Sequence, residues 1–208
     1  MGVKRFAPLM LLLAAGSVRA QVELLPASMP VAGTSQVDWS RQWWTWAASF
    51  ELSGSPVADR TGRLCHLKQE GAVWFLAGTY DTHRTIRKCT VPAGKYLFFP
   101  LVNYVFFSPP EDARTCADVR KLVSKPMDDV TSLVLEVDGK RLNGLEAHRL
   151  ATGCFDLYER IGGSTAVSAS NGYYVMLKPL TPGTHTLNFG GGGSEMSQAV
   201  TYTLNVKN

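Results

Sequence analysis

The chain has 208 residues, with 21 Lys and Arg against 17 Asp and Glu, four cysteines and five tryptophans. Lys4, Arg5 and Arg19 all fall in the first twenty residues, so the rest carries 18 basic and 17 acidic side chains and is nearly neutral. That balance argues against a nucleic-acid or anionic-membrane partner, and the 188 residues after Ala20 suit one domain with a sizeable core.

Residues 1–20, "MGVKRFAPLMLLLAAGSVRA", join a basic start to an apolar run from Phe6 to Ala15 and small residues at Val18 and Ala20. This is the pattern of a secretory signal peptide cut after Ala20. The run is about ten residues, half of what a membrane span needs, and no later stretch is long enough either. The expected product is secreted or periplasmic, with no integral membrane segment after signal removal. Residues 21–34, with "LLPASMPVAG", read as an extended Pro-rich lead, and 35–208 as a single β-sandwich domain.

Ser35 followed by Asp38 fits a capping box, which opens a helix running to about Phe50 or Leu52 and stopped near "SGSP". At 100° per residue, Trp39, Trp43, Trp46 and Phe50 share a stripe roughly 60° wide, which predicts a face buried in the core. Trp44 lies about 100° away from that stripe. It is expected to be partly exposed, either under a covering loop (the 160s or the Pro-rich lead) or as a platform on which a carbohydrate or aromatic ligand stacks.

From residue 71 the sequence turns to short apolar, β-branched and aromatic runs broken by turn residues. Strands are predicted over Ala72 to Gly78, Thr85 to Val91, Tyr96 to Phe107, Ser132 to Asp138, Tyr173 to Leu180, His185 to Phe189 and Ala199 to Val206. "VPAGK" and "LTPGT" read as turns and "VDGKRL" as an Asp-Gly hairpin. "PPEDARTCADVRKLVSK" reads as a second helix, started by proline and acids and ended by bases. "GGSTAVSASNG" and "GGGGSEMS" read as loops. The fold class is mainly β: a two-sheet sandwich of jelly-roll type with an N-terminal Trp-rich helix and a second, inserted helix.

Cys65, Cys89, Cys116 and Cys154 read as disulfides in an exported chain, and no C-x-x-C pair suggests a metal or redox site. Of three connectivities, Cys65 with Cys89 is favoured because the two flank a hairpin and close a loop of about two dozen residues. Cys116 with Cys154 follows by elimination.

Several features together resemble a family of secreted bacterial proteins of unassigned function. They are "WSRQWWTWA", "DRTGRLC", "QEGAVWFLAGT", "RKCTVPAGKYLFFPLVN", "GYYVMLKPLTPGTHTLNFGG" and "VTYTLNV", spanning residue 39 to the C-terminus. The resemblance implies an exported, mostly β, single-domain bacterial protein and no particular catalytic residue. The region of Cys116 and Cys154 matches it less well.

No G-x-S-x-G elbow is present, and Glu111-Asp112 and Asp128-Asp129 flank a helix and a turn, where acids serve as helix-end charges. His66, His83, His148 and His185 lack metal-binding spacing, so no metal and no cofactor is expected. What stands out is isolated polarity in apolar surroundings: Asp59, Gln69, Arg87 and Asn103. Such groups must be hydrogen-bonded, since a buried orphan costs about 1 to 3 kcal/mol. They bond one another and nearby loops, or they line a ligand cleft. With Trp44, they form the candidate ligand-binding set, for an unknown small molecule, carbohydrate or protein. The expected function is a binding or interaction module; the alternative is a secreted hydrolase or metal-dependent enzyme whose residues converge only in the folded chain. An acid–base or His-rich cluster on a cleft floor would favour the enzyme, and a cleft of aromatics and amides would favour binding. If the signal is read correctly, Edman sequencing of the exported protein starts at Gln21; a product starting at Met1 refutes it.

Overall fold

A computed structural model describes residues 22–80, 82–162 and 167–208. The signal peptide expected over 1–20 and its cut before Gln21 lie outside the described residues, as do residues 163–166 of the expected 160s loop. The elements are α1 (Gln36–Ala48), β1 (Val73–Phe75), β2 (Thr85–Pro92), β3 (Tyr96–Ser108), α2 (Cys116–Asp128), β4 (Val130–Val137), β5 (Lys140–Arg141), β6 (Arg149–Ala151), β7 (Val167–Leu177), β8 (Gly183–Gly193) and β9 (Ser197–Lys207).

The strands form the expected two-sheet sandwich. One sheet runs β1-β3-β7-β6 and the other β2-β9-β8-β4-β5. Both are mixed, because the edge strands β1 and β2 pair parallel to β3 and β9 while the other pairs are antiparallel. Period-2 alternation buries one face of β2 and β9, as where Val200, Tyr202, Leu204 and Val206 are buried between exposed or half-buried neighbours, while β3 and β7 in the sheet covered on both faces are buried almost continuously. These residues meet Leu97, Phe99, Leu101, Val175 and Leu177 from the opposite sheet to form the central core.

The two helices cover opposite faces of the four-stranded sheet. Helix α1 packs its tryptophans on Phe98, Tyr174 and Met176. Helix α2 packs Val119 and Val123 on Ala169, which shares the face of Val175 and Leu177, and so extends the layer formed by the five-stranded sheet. Ser35 caps α1, its Oγ accepting from the Asp38 N–H, as the sequence predicts. The start of α2 differs from expectation: Pro110–Asp112 forms a separate 3₁₀ turn, and the helix opens at Thr115 with a full Thr115–Asp118 capping box. A cap that satisfies two orphan N–H groups is the stronger start signal.

Two predicted loops are strands. β7 begins at Val167, inside "GGSTAVSASNG", and β8 continues through Gly190–Gly193. Side-chain bulk is what the glycine run cannot tolerate: a Cβ on Gly190 would sit 2.2 Å from the Gln198 carbonyl, and one on Gly193 would sit 2.1 Å from that of Asp129. The run lets neighbouring backbones approach closely, although its composition resembles a linker. The Asp138-Gly139 turn between β4 and β5 has positive φ at both residues (51° and 77°), the type I′ geometry of a two-residue hairpin.

The disulfides are Cys65–Cys89 and Cys116–Cys154, with sequence separations of 24 and 38. Cys65–Cys89 joins the loop before β1 to the buried face of β2 within the central core. Replacing both Cys65 and Cys89 by Ser is expected to cost about 3 kcal/mol of stability from loop-closure entropy, measured as a urea-unfolding difference against the oxidised parent; an unchanged midpoint would contradict this.

Candidate functional site

A cleft of about 370 Å³ opens beside β3, between α1 and the turn that joins β8 to β9. Helix α1 contributes Trp43 and Trp44, the segment after β1 contributes Gly78, Thr79, Tyr80 and Thr82, the turn contributes Glu195 and Met196, and the start of β9 contributes Ser197 and Gln198. Val102 to Val105 of β3 also line it.

A bulge in β3 sets which side chains reach this cleft. Register against β7 slips between Pro100 and Val102, so Leu101 and Val102 both point toward the opposite sheet. Before the bulge the odd residues Leu97 and Phe99 face the central core; after it the even residues Tyr104 and Phe106 share that side of the sheet, against α2. Asn103 is thereby turned onto the α1 side, opposite Gly172, where its Nδ2 donates to the buried Tyr174 hydroxyl at 3.1 Å. Burial pushes the Tyr174 phenol well above its ordinary pKa, with the Asn103 bond opposing that shift, so it stays neutral. Gly172 makes room: a Cβ there would lie 2.6 Å from the Cβ of Asn103.

Of the five sequence candidates, the structure brings Asn103 and Trp44 to the cleft and assigns the other three elsewhere. Arg87, 1% exposed, donates to the carbonyls of Val57, Asp59, Ala77 and Gly78 and to the Tyr202 hydroxyl, and lies over the Tyr202 ring. Asp59 closes a turn, accepting from the N–H groups of Thr61 and Leu64 and the Thr61 hydroxyl. Partial burial raises its pKa, but these donors and nearby Arg87 outweigh that and hold its carboxyl below the usual range. Gln69 grips β1 from the side: its Nε2 donates to the Cys65 and Phe75 carbonyls and its Oε1 accepts from the Phe75 N–H. These three form the internal network that ties loops to sheet.

Trp44, expected to be partly exposed, is buried. It is 9% exposed, packed edge-on against Trp43, and clusters with Leu157 and Tyr158. The helical wheel accounts for the sheet beneath α1 but not for the segment at its flank, which Arg41 anchors through a 2.7 Å ion pair with Glu159. Trp39, expected buried, is half-buried, its indole donating to the Val31 carbonyl. Trp43 and Trp46 are fully buried, and their indoles donate to the carbonyls of Leu76 and Leu67. Trp44 Nε1 is buried without a well-formed acceptor, near the Tyr174 hydroxyl.

Tyr80, 58% exposed, is a cleft aromatic that does face solvent, and a second cleft of about 260 Å³ shares Tyr80 and Trp44 with the first and adds Phe50, Leu52 and Tyr158. Gln198 is the residue that the sequence did not single out. Its Nε2 donates to the Pro100 and Leu101 carbonyls at the bulge and its Oε1 accepts from the Thr79 N–H, which closes one end of the cleft. Nothing distinguishes it in an alternating strand, since its role depends on a bulge almost a hundred residues away.

The histidines stay apart. His66 and His83 are exposed, His148 is buried, with burial pushing its imidazole below the ordinary pKa, and His185 bonds the Asp138 carboxylate at 2.8 Å. Among the described residues, no group of three or more His, Cys, Asp or Glu is arranged to hold a metal. The described lining of the larger cleft has one carboxylate, Glu195, beside hydroxyls, amides and aromatic rings.

No protein-family model matches this chain, and no curated protein sequence does. Two solved structures show loose similarity. A chain in the structure of PbICP-C in complex with falcipain-2 is 9% identical, covers 66% of this chain and all of its own length, and has a TM-score of 0.27. The solution structure of Amebosin is 11% identical, covers 60% of this chain and 96% of its own, and has a TM-score of 0.22. Overlap this loose says nothing of what the present chain binds or does.

The burial of Trp44 makes a clear prediction. Trp44→Ala and Trp43→Ala should each cost about 3 to 5 kcal/mol, as large core truncations do; a Trp44→Ala variant that unfolds at the parental urea midpoint would restore the platform reading.

Proposed function

We propose that this protein is an exported binding module, belonging to the secreted bacterial family that its motifs resemble, and that its ligand enters the cleft between Tyr80, Asn103 and the Glu195–Gln198 turn. The cleft lining carries the reading: aromatic and apolar walls from Trp43, Trp44, Tyr80 and Val105, with polar groups from Asn103, Thr79, Thr82 and Ser197. Binding pockets combine a mostly apolar surface with a few placed hydrogen-bonding groups in this way. The acid–base pair or histidine cluster that would favour a hydrolase is not what the described residues bring together there. Pairing of all four cysteines supports an oxidising compartment, secreted or periplasmic.

Native mass spectrometry of protein isolated from its own host, asking whether a bound species accompanies it, tests this reading. Tyr80 is exposed, so Tyr80→Ala should leave the melting temperature within ~2 °C of the parent while reducing occupancy of the bound species. A ligand retained in full by Tyr80→Ala would place binding elsewhere.

A further inference from the structure

Edge strands expose unpaired backbone groups, and proteins normally blunt them with charge, brevity or a cover. Three edges here are blunted. β5 is only Lys140 and Arg141. The Lys88 N–H of β2 is taken by the Thr61 carbonyl, with Gly62 packed against it. β1 is three residues long, and the Gln69 carboxamide occupies both backbone groups of Phe75.

β3 outruns β1, which pairs only with Tyr96 to Phe98. Gln198 takes the next carbonyls, at Pro100 and Leu101. Beyond them, no strand among the described residues pairs with this edge. On β7, the backbone groups of Ser168, Ser170 and Met176 bond away from β3, to Phe155, Thr152 and Leu25. Their opposite residues in the antiparallel ladder, Phe107, Val105 and Phe98, therefore also direct N–H and C=O away from β7. The Phe98 carbonyl accepts from the Leu76 N–H, as this alternation requires. Among the described residues, no backbone partner takes the outward groups of Val105 and Phe107. The open stretch, Asn103 to Phe107, carries no charge and no proline and is about 17 Å long at 3.4 Å per residue.

From the open edge and the cleft beside it, we infer that the ligand is an extended peptide segment of another protein, which adds to the four-stranded sheet as a strand along Asn103–Phe107. This rests on the binding reading above and names its ligand class. A β-strand is the shape whose main chain satisfies alternate outward N–H and C=O groups. The cleft lies beside Val102–Val105 of that edge, lined also by Tyr80, Thr82 and Glu195 to Ser197, and Phe107 beyond it is 44% exposed. A single extended strand suits an open edge with a cleft beside it; pairing with a second folded copy is the alternative that sedimentation distinguishes. The residue of the peptide that faces α1 is apolar or aromatic, to fill the space beside Trp44 and Val105, and a basic residue lies near the exposed Glu195 carboxylate.

The test selects a displayed library of random linear heptapeptides on the exported protein and measures the enriched peptides by calorimetry. N-methylating alternate amides of a selected peptide should abolish binding for one set of positions and spare the other, because only one edge of the added strand faces β3. Val105→Pro removes an outward N–H but no ladder bond, and should weaken the peptide about tenfold or more; Val105→Thr keeps the N–H and should retain binding. If Val105→Pro does not fold, the N-methyl pattern still decides. Equal tolerance of both N-methyl sets, or full binding by a folded Val105→Pro variant, overturns strand addition. Failure to enrich any peptide, while a Tyr80-dependent small molecule is bound, overturns this inference but not the binding reading; if neither is found, both fail. A dimer in sedimentation that Val105→Pro dissolves would instead assign the edge to self-association.

Discussion

A guanidinium removed from water must find an acceptor for each nitrogen, and Arg87 finds them in the backbone. Its five bonds converge on two loop carbonyls at Val57 and Asp59, two at Ala77 and Gly78 where the chain leaves β1, and the hydroxyl of Tyr202 on β9. A side chain on β2 thereby ties the Val57–Asp59 loop and the exit of β1, which no ladder joins to β2, to the β2–β9 pair. The fixed, always-charged fork of arginine suits this role, and a lysine would reach fewer of the acceptors. Val57 and Gly78 both line the larger cleft, so the wall facing β3 stands where Arg87 holds it. The Tyr202 phenol, pushed up by burial and partly drawn back by the neighbouring guanidinium, stays neutral inside this knot.

The same device recurs in smaller form. Gln69 and Gln198 each use one carboxamide as a surrogate strand residue, donating and accepting where a neighbouring chain would. The indoles of Trp39, Trp43 and Trp46 bond the carbonyls of Val31, Leu76 and Leu67, so α1 is fastened to three separate segments by groups whose rings also fill the core. Irregular backbone in this fold is satisfied by side chains rather than by more secondary structure.

How far the sequence could be read follows from the range of each interaction. The capping of α1, the Asp-Gly hairpin and the alternating strands depend on neighbours a few residues apart and were legible. The stripe of Trp43 and Trp46 was legible because one packing face dominates it. Trp44 was misread because its cover, around Leu157, is more than a hundred residues away in the chain. The glycines of β8 looked like a linker because close approach between backbones leaves no trace in composition. In the candidate set, isolated polarity correctly marked groups with tertiary partners, but it did not separate Arg87, Asp59 and Gln69, which serve the fold, from Asn103, which reaches the cleft. That separation is made by a bulge, which sequence periodicity alone did not disclose.

The bulge has an evolutionary consequence. Because Leu101 is the extra residue that offsets the parity of the strand, deleting it would leave a regular strand in which Asn103 and Val105 keep the α1 side and Tyr104 and Phe106 keep the opposite layer. Related chains can vary at the cleft by substitution and can lose the bulge without exchanging its lining, whereas a one-residue length change elsewhere in β3 would turn the residues on one side of it onto the wrong face. An alignment with a chain that lacks the bulge therefore keeps equivalent surfaces together only when its one-residue gap falls at Leu101; placed elsewhere in β3, the gap compares opposite faces, even where the flanking aromatic residues match.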